Sequence, residues 1–168
     1  MAWGAVYIAV SGGGEADDEA CLLAEQVGRE LARRGAVVVT GGLGGAMAAA
    51  CRGAKDGAGT TIGILPSDDR ADANPWVDVA VPTGLGEGRN ALVVRAADAV
   101  VAVAGEFGTL SEIALALRLG KPVIGLGTWE LARDGRPVDA IVVAVTPAEA
   151  ADTAVALAKE RRAPPTGS

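Results

Sequence analysis

Residues 104–112 read Ala-Gly-Glu-Phe-Gly-Thr-Leu-Ser-Glu, and they join an all-Val/Ala run at 99–104 to an amphipathic run. In the amphipathic run Leu110, Ile113, Ala114 and Leu117 recur at helical spacing, which predicts that this face packs on a sheet. A glycine turn between a strand and a helix N-terminus leaves backbone N–H groups free and aligns them with the positive end of the helix dipole. That is chemistry for an anion, most often a phosphate, and it makes Gly105, Gly108 and Thr109 candidate phosphate-binding residues. Glu112 adds a carboxylate to the same helix. Arg89, upstream, adds a guanidinium that can pair with a phosphate or with Glu112. Cleavage of a glycosidic bond passes through an oxocarbenium-like state, which a carboxylate stabilises, so Glu112 could serve there or orient the attacking water. The same residues have a plainer use. Thr-x-x-Glu is a capping box, with Thr109 at the N-cap and Glu112 three residues later.

Two further glycine turns follow apolar runs. Ser11-Gly12-Gly13-Gly14 comes after residues 5–10, and Gly41-Gly42-Leu43-Gly44-Gly45 after residues 36–40. Ser11, Gly12, Gly41, Gly42 and Gly45 are candidate ligand contacts, while Gly13, Gly14 and Gly44 are explained by tight turn geometry alone. Asn90, beside Arg89, can hydrogen-bond a sugar or base, or cap its own helix. Glu106 puts a carboxylate next to the anion turn, either as a solvated turn residue or as a specificity element.

Several chemistries are excluded. The chain has no His, which removes Ser–His and Cys–His catalysis and imidazole metal ligation together. No turn has the G-x-G-x-x-G spacing of a dinucleotide site, and no Lys follows a turn as in a P-loop. None of Lys55, Lys121 and Lys159 has a context suggesting a Schiff base. Asp68, Asp69 and Asp72 lack metal-site spacing and read as a solvated loop. Neither a cofactor nor a metal is expected.

The positioning elements are legible from the pattern. Short aliphatic runs at 5–10, 36–40, 60–65, 77–81, 99–104, 122–127 and 141–145 alternate with helical segments, the last opened by Thr146 as N-cap and Pro147 at N1. Alternation of this kind predicts an α/β, single-domain, Rossmann-like three-layer sandwich with a parallel sheet, over residues 1–162. A flexible tail is expected at 163–168. The chain is 50% hydrophobic but only 3% aromatic, so the core must be Ala, Val, Leu and Ile. Such sheets bind ligands beyond the C-terminal ends of their strands, and all three glycine turns should lie on that edge. The net charge of −6, with no basic run beyond Arg161-Arg162, argues against nucleic acid. No signal peptide or membrane-length apolar run is evident, so a cytoplasmic protein with reduced thiols is expected. Cys51, on the stripe Met47, Ala50, Cys51, Ala54, is a small core residue.

Taken together, Arg89, the segment 104–112, Ser11-Gly12, Thr40-Gly41-Gly42, Gly45-Ala46-Met47 and Ile62-Gly63-Ile64-Leu65-Pro66 resemble the LONELY GUY (LOG) family, also labelled lysine decarboxylase-like. Within it the chain is most similar to the branch of molybdenum cofactor carrier-like proteins. The resemblance spans about residues 5–145. Active members are phosphoribohydrolases, which cleave a nucleoside 5′-monophosphate to free base and ribose 5-phosphate. Their motif is P-G-G-x-G-T-x-x-E with an upstream Arg. The resemblance implies that Glu112 and Arg89 are catalytic and that Gly105, Gly108 and Thr109 form the phosphate turn. It also implies a homo-oligomer, dimer or tetramer. Ala104 stands where the motif has Pro, Glu106 where it has its second Gly, and Glu87-Gly88-Arg89-Asn90 where the family has H-E-R-K. The alternative within the same branch is a non-catalytic carrier of a phosphorylated pterin such as molybdenum cofactor. Either way the partner is a small phosphorylated ligand.

Overall fold

Each long aliphatic run becomes a parallel strand, and each amphipathic run a helix. A computed structural model describes residues 4–163, so the tail expected at 163–168 lies, apart from Ala163, outside the described residues. The elements in order are β1 (Tyr7–Ser11), α1 (Asp18–Arg33), β2 (Val37–Thr40), α2 (Gly45–Asp56), β3 (Thr61–Leu65), β4 (Val79–Pro82) and α3 (Asn90–Ala96). They continue with β5 (Ala99–Val103), α4 (Phe107–Arg118), β6 (Val123–Leu126), β7 (Ala132–Arg133), β8 (Arg136–Pro137), β9 (Val142–Val143) and α5 (Pro147–Arg162).

Seven strands form one sheet in the order β4-β3-β2-β1-β5-β6-β9, with every pairing parallel. The chain runs outward from β1 in one direction, then returns to β5 and runs outward in the other. The topological switch point therefore lies between β1 and β5, where such sheets open a crevice. Side chains alternate strictly. Ile8, Val10, Val38, Val101 and Val103 face α1, α2 and α5, while Ala9, Val39, Val100 and Ala102 face α3 and α4. Both faces of the central strands are thus covered, which explains their unbroken Val/Ala sequence.

Most helix signals are realised. Asp17 caps α1, its side chain accepting from the Ala20 N–H at 2.8 Å, and Thr146 caps α5 with Pro147 at its start. Helices α1 and α2 cross so closely that Gly28 and Gly53 admit no side chain. A Cβ on Gly28 would fall 2.0 Å from the Ala50 carbonyl oxygen, and one on Gly53 1.8 Å from that of Glu25. Cys51 is buried in the core as expected.

The structure adds short elements to the pattern read from the sequence and corrects two expectations for α4. A 3-10 turn, Gly86–Arg89, leads into α3 and carries Arg89 at its end. The connection at 129–140 contains the β7–β8 hairpin, turning at Asp134-Gly135, both with positive φ. Helix α4 starts at Phe107 with Glu106 at its N-cap, so Thr109 lies inside the first turn and is not the cap. Its inward face is also rotated. The buried residues are Thr109, Glu112, Ile113 and Ala116, whereas Ala114 is exposed. Two polar residues occupy positions on the buried stripe, and hydrophobic periodicity passed over them.

Candidate functional site

The three glycine turns meet, as expected, at the C-terminal edge of the sheet. They enclose a cleft of about 690 Å³ lined by the Ser11–Gly14 turn, Gly41, Met47, Arg89, Asn90, the segment around Gly105, and Glu112. That volume lies within the range of roughly 300–1,000 Å³ usual for small-ligand sites.

The turn after β5 is shaped by an unusual backbone. Ala104 has φ 45° and Gly105 φ 97°. These values bend the chain sharply and let the helix begin at Phe107. The Thr109 side chain folds back over Gly105, where a Cβ would meet Thr109 Oγ1 at 2.3 Å. Gly105 is therefore required both by its φ and by this contact. Glu106 makes no side-chain cap bond, so the first turn of α4 has no internal cap. The helix N-termini nearby differ. The Asp17 side chain caps α1, and the Ala46 N–H of α2 donates to the Gly13 carbonyl at 3.0 Å. Of these three termini, α4 is the one with neither a side-chain cap nor, among the described residues, a backbone acceptor for its first N–H groups, which suits an anion in the cleft.

Arg89 is buried, 9% exposed, at the end of the 3-10 turn. Its Nε donates to the Ile64 carbonyl at 2.8 Å, its Nη2 to the Gly41 carbonyl at 3.4 Å, and its Nη1 to Asn90 Oδ1. Two backbone carbonyls from β3 and the turn after β2 thus fix the guanidinium plane. Burial pulls its pKa below the ordinary value, while the charges of Glu112 and Glu87 act in the opposite sense. Among the described residues Arg89 has no carboxylate within ion-pair distance, so its remaining N–H groups are not committed to Glu112.

Glu112 is also 9% exposed and lines the same cleft. It does not complete a capping box. Its Oε2 accepts instead from the Ser11 hydroxyl, across from the end of β1. Burial pushes the carboxyl above its usual range, opposed by the Ser11 hydrogen bond and the charge of Arg89. A buried carboxylate of raised pKa and a fixed guanidinium thus line one cleft.

Other residues singled out from the sequence divide. Ser11, Gly12, Gly41, Asn90, Gly105, Gly108 and Thr109 line the cleft with Arg89 and Glu112. Gly42 and Gly45 do not. The Gly42 carbonyl accepts from the Asn74 N–H at 2.9 Å, and a Cβ on Gly45 would lie 2.4 Å from the Gly13 and Gly14 carbonyl oxygens. Sequence reasoning missed Met47 and Glu87 in the lining, and the Ile64 carbonyl that grips Arg89. No residue-type signal marks a carbonyl as a ligand. Among the described residues no group of His, Cys, Asp and Glu is arranged to hold a metal, and no helix is long and apolar enough to cross a membrane.

The sheet order and the cleft at its switch point define a Rossmann-like protein of the LOG type. The chain belongs to the SLOG cluster4 family, whose model matches residues 5–158. An uncharacterized protein of Archaeoglobus fulgidus is 41% identical over 121 residues, 72% of this chain and 80% of that protein. The molybdenum cofactor binding protein of the phototrophic bacterium Rippkaea orientalis superposes with a TM-score of 0.78 at 35% identity, covering 93% of this chain and 96% of its own. The molybdenum cofactor carrier protein of Chlamydomonas reinhardtii superposes with a TM-score of 0.81 at 33% identity, covering 91% and 98%. The family and its molybdenum cofactor carrier-like branch, implied by the motifs, are therefore those of this chain.

Proposed function

We propose that the cleft binds a small phosphorylated ligand and that the protein is a phosphoribohydrolase of nucleoside 5′-monophosphates. In this reading the open amides of α4 and the Gly105–Thr109 turn take the phosphate, with Arg89 alongside. Asn90 contacts the sugar or base. The electron pair of the N-glycosidic bond leaves with the base nitrogen, which gains a proton. Water adds to the sugar carbon, giving ribose 5-phosphate. Glu112 stabilises the cationic sugar and orients the water.

One observation carries this reading: Glu112 is buried in the cleft with its helix-capping role taken away. A carboxylate held there opposes anion binding and costs stability, so simple retention of a phosphate gives it no task. The test is incubation with a panel of nucleoside 5′-monophosphates and assay for ribose 5-phosphate. Release from at least one nucleotide, lost in Glu112→Gln, is the expected result.

A second reading has its own support. The solved structures described above bind or carry molybdenum cofactor, at 33–35% identity over more than nine-tenths of this chain. A carrier would bind a phosphorylated pterin tightly and turn over no nucleotide in the same panel. A homo-oligomer, dimer or tetramer, belongs to either reading and is measured by light scattering.

A further inference from the structure

We infer that Ser11 is a positioning residue for Glu112: its hydroxyl fixes one carboxylate oxygen and turns the other toward the reacting sugar. The inference rests on the hydrolytic reading above and gives a different task to a residue that its place in a glycine turn made a candidate ligand contact.

The geometry is specific. Ser11 is the last residue of β1, pairs in register with Ala102 of β5, and is 3% exposed. Its Oγ donates to Glu112 Oε2. A serine hydroxyl has one proton, and here it is spent on the carboxylate, so it is not free to donate to a phosphate. Glu112 Oε1 has no protein donor among the described residues, and no buried side-chain oxygen among them lacks a partner, so Oε1 opens onto the cleft. The side chain of Glu112 has three torsions. One bond from a strand end, itself locked in the sheet, removes most of that freedom before any ligand arrives.

The bond is also electrostatic support. A hydrogen bond to the charged form favours that form, against the burial that disfavours it. The other charged groups lining the cleft are Arg89, whose charge acts on Glu112, and the carboxylates of Glu15, Asp17, Glu87 and Glu106. Replacing Ser11 leaves all of these in place. Its removal is therefore read at Glu112 alone.

Two measurements on the full-length protein separate this inference from the reading beneath it. The first is a carbon-13 NMR titration of the Glu112 side-chain carboxyl in wild type, Ser11→Ala and Ser11→Cys, with thermal melting to establish that each variant folds. The Glu112 midpoint should move upward in Ser11→Ala and by a smaller amount in Ser11→Cys, whose thiol is a weaker donor of similar shape. The second is the pH–rate profile on whichever nucleotide the wild type cleaves. In Ser11→Ala, kcat should fall about 10- to 100-fold, KM should change by less than threefold, and the acid limb should move with the titration. A folded variant with an unmoved Glu112 midpoint overturns the inference, whatever the turnover. An upward shift with no turnover of any nucleotide by wild type retires the hydrolytic reading and leaves the hold of Ser11 on Glu112 established.

Discussion

Gly41 and Arg89 are in contact through the absence of a side chain: a Cβ on Gly41 would lie 2.5 Å from Arg89 Nη2 and 2.8 Å from its Cζ. The guanidinium occupies the space that any other residue at position 41 would fill. Gly41→Ala must push it aside, and because Arg89 is a flexible side chain the cost falls on placement more than on folding. Affinity for ribose 5-phosphate should drop about tenfold, the equivalent of about 1.4 kcal/mol, as measured by calorimetry. The melting temperature should fall by only a few degrees.

Arg89 itself should not tolerate its nearest substitute. Lysine keeps the charge but cannot reach the carbonyls of Ile64 and Gly41 and Asn90 Oδ1 at once. Arg89→Lys is expected to lower kcat/KM by at least thirtyfold, about 2 kcal/mol of transition-state stabilisation. Retention of wild-type kcat/KM would show that only the charge matters.

Glu106 sits at the N-cap of α4 beside the anion turn. Its negative charge opposes an incoming phosphate while interacting favourably with the helix dipole. Glu106→Gln should tighten phosphate binding about two- to fivefold, from a dipole-scale effect of about 0.3–1 kcal/mol. The gain should shrink as salt is raised, since the residue is exposed.

Ala104 stands where the family motif has proline, yet its φ is 45° and its N–H donates to the Leu126 carbonyl at 3.1 Å. Proline has neither the φ nor the N–H. Ala104→Pro is therefore expected to destabilise the fold by about 3 kcal/mol or more, readable by denaturant unfolding. Ala104→Gly should stabilise it by a few tenths to about 1 kcal/mol, by relieving the left-handed strain. A stable Ala104→Pro protein would mean that the turn adopts the motif's backbone after all.

Glu112 predicts a pH dependence of definite sign. In the hydrolytic reading the ionised carboxylate is the working form, and burial has raised its pKa. Turnover should therefore rise with pH along a limb placed above the ordinary glutamate value of about 4.3. Stability runs the other way. The folded protein holds this proton more tightly than the unfolded chain, so the group's contribution falls as pH rises from the unfolded toward the folded pKa. A limb at or below the ordinary value would contradict the burial of Glu112.

The fold was readable from the sequence because its signals are local. Strand runs, the caps at Asp17 and Thr146, and glycines at strand ends each say where an element stops. The gathering of the three glycine turns followed from the parallel sheet alone. What the sequence hid was the inward face of α4. Thr109 and Glu112 are polar, so an apolar stripe read as Leu110, Ile113, Ala114 and Leu117 has Ile113 right but points to Leu110 and Ala114 in place of Thr109, Glu112 and Ala116. The same polarity made a capping box the simplest use for the pair. The true geometry depends on a left-handed Ala104, and alanine carries no mark of that conformation. The grip on Arg89 comes from backbone carbonyls, and the partner of Glu112 lies on a distant strand, so neither contact leaves a spacing to find.

The most direct test is a crystal structure of the protein with ribose 5-phosphate, the half shared by every nucleoside 5′-monophosphate whatever its base. The phosphate should lie within hydrogen-bond distance of the amides at 105–109 and near Arg89, with the anomeric carbon facing Glu112 Oε1. A phosphate bound away from that turn, or an anomeric carbon directed away from Glu112, would contradict the account.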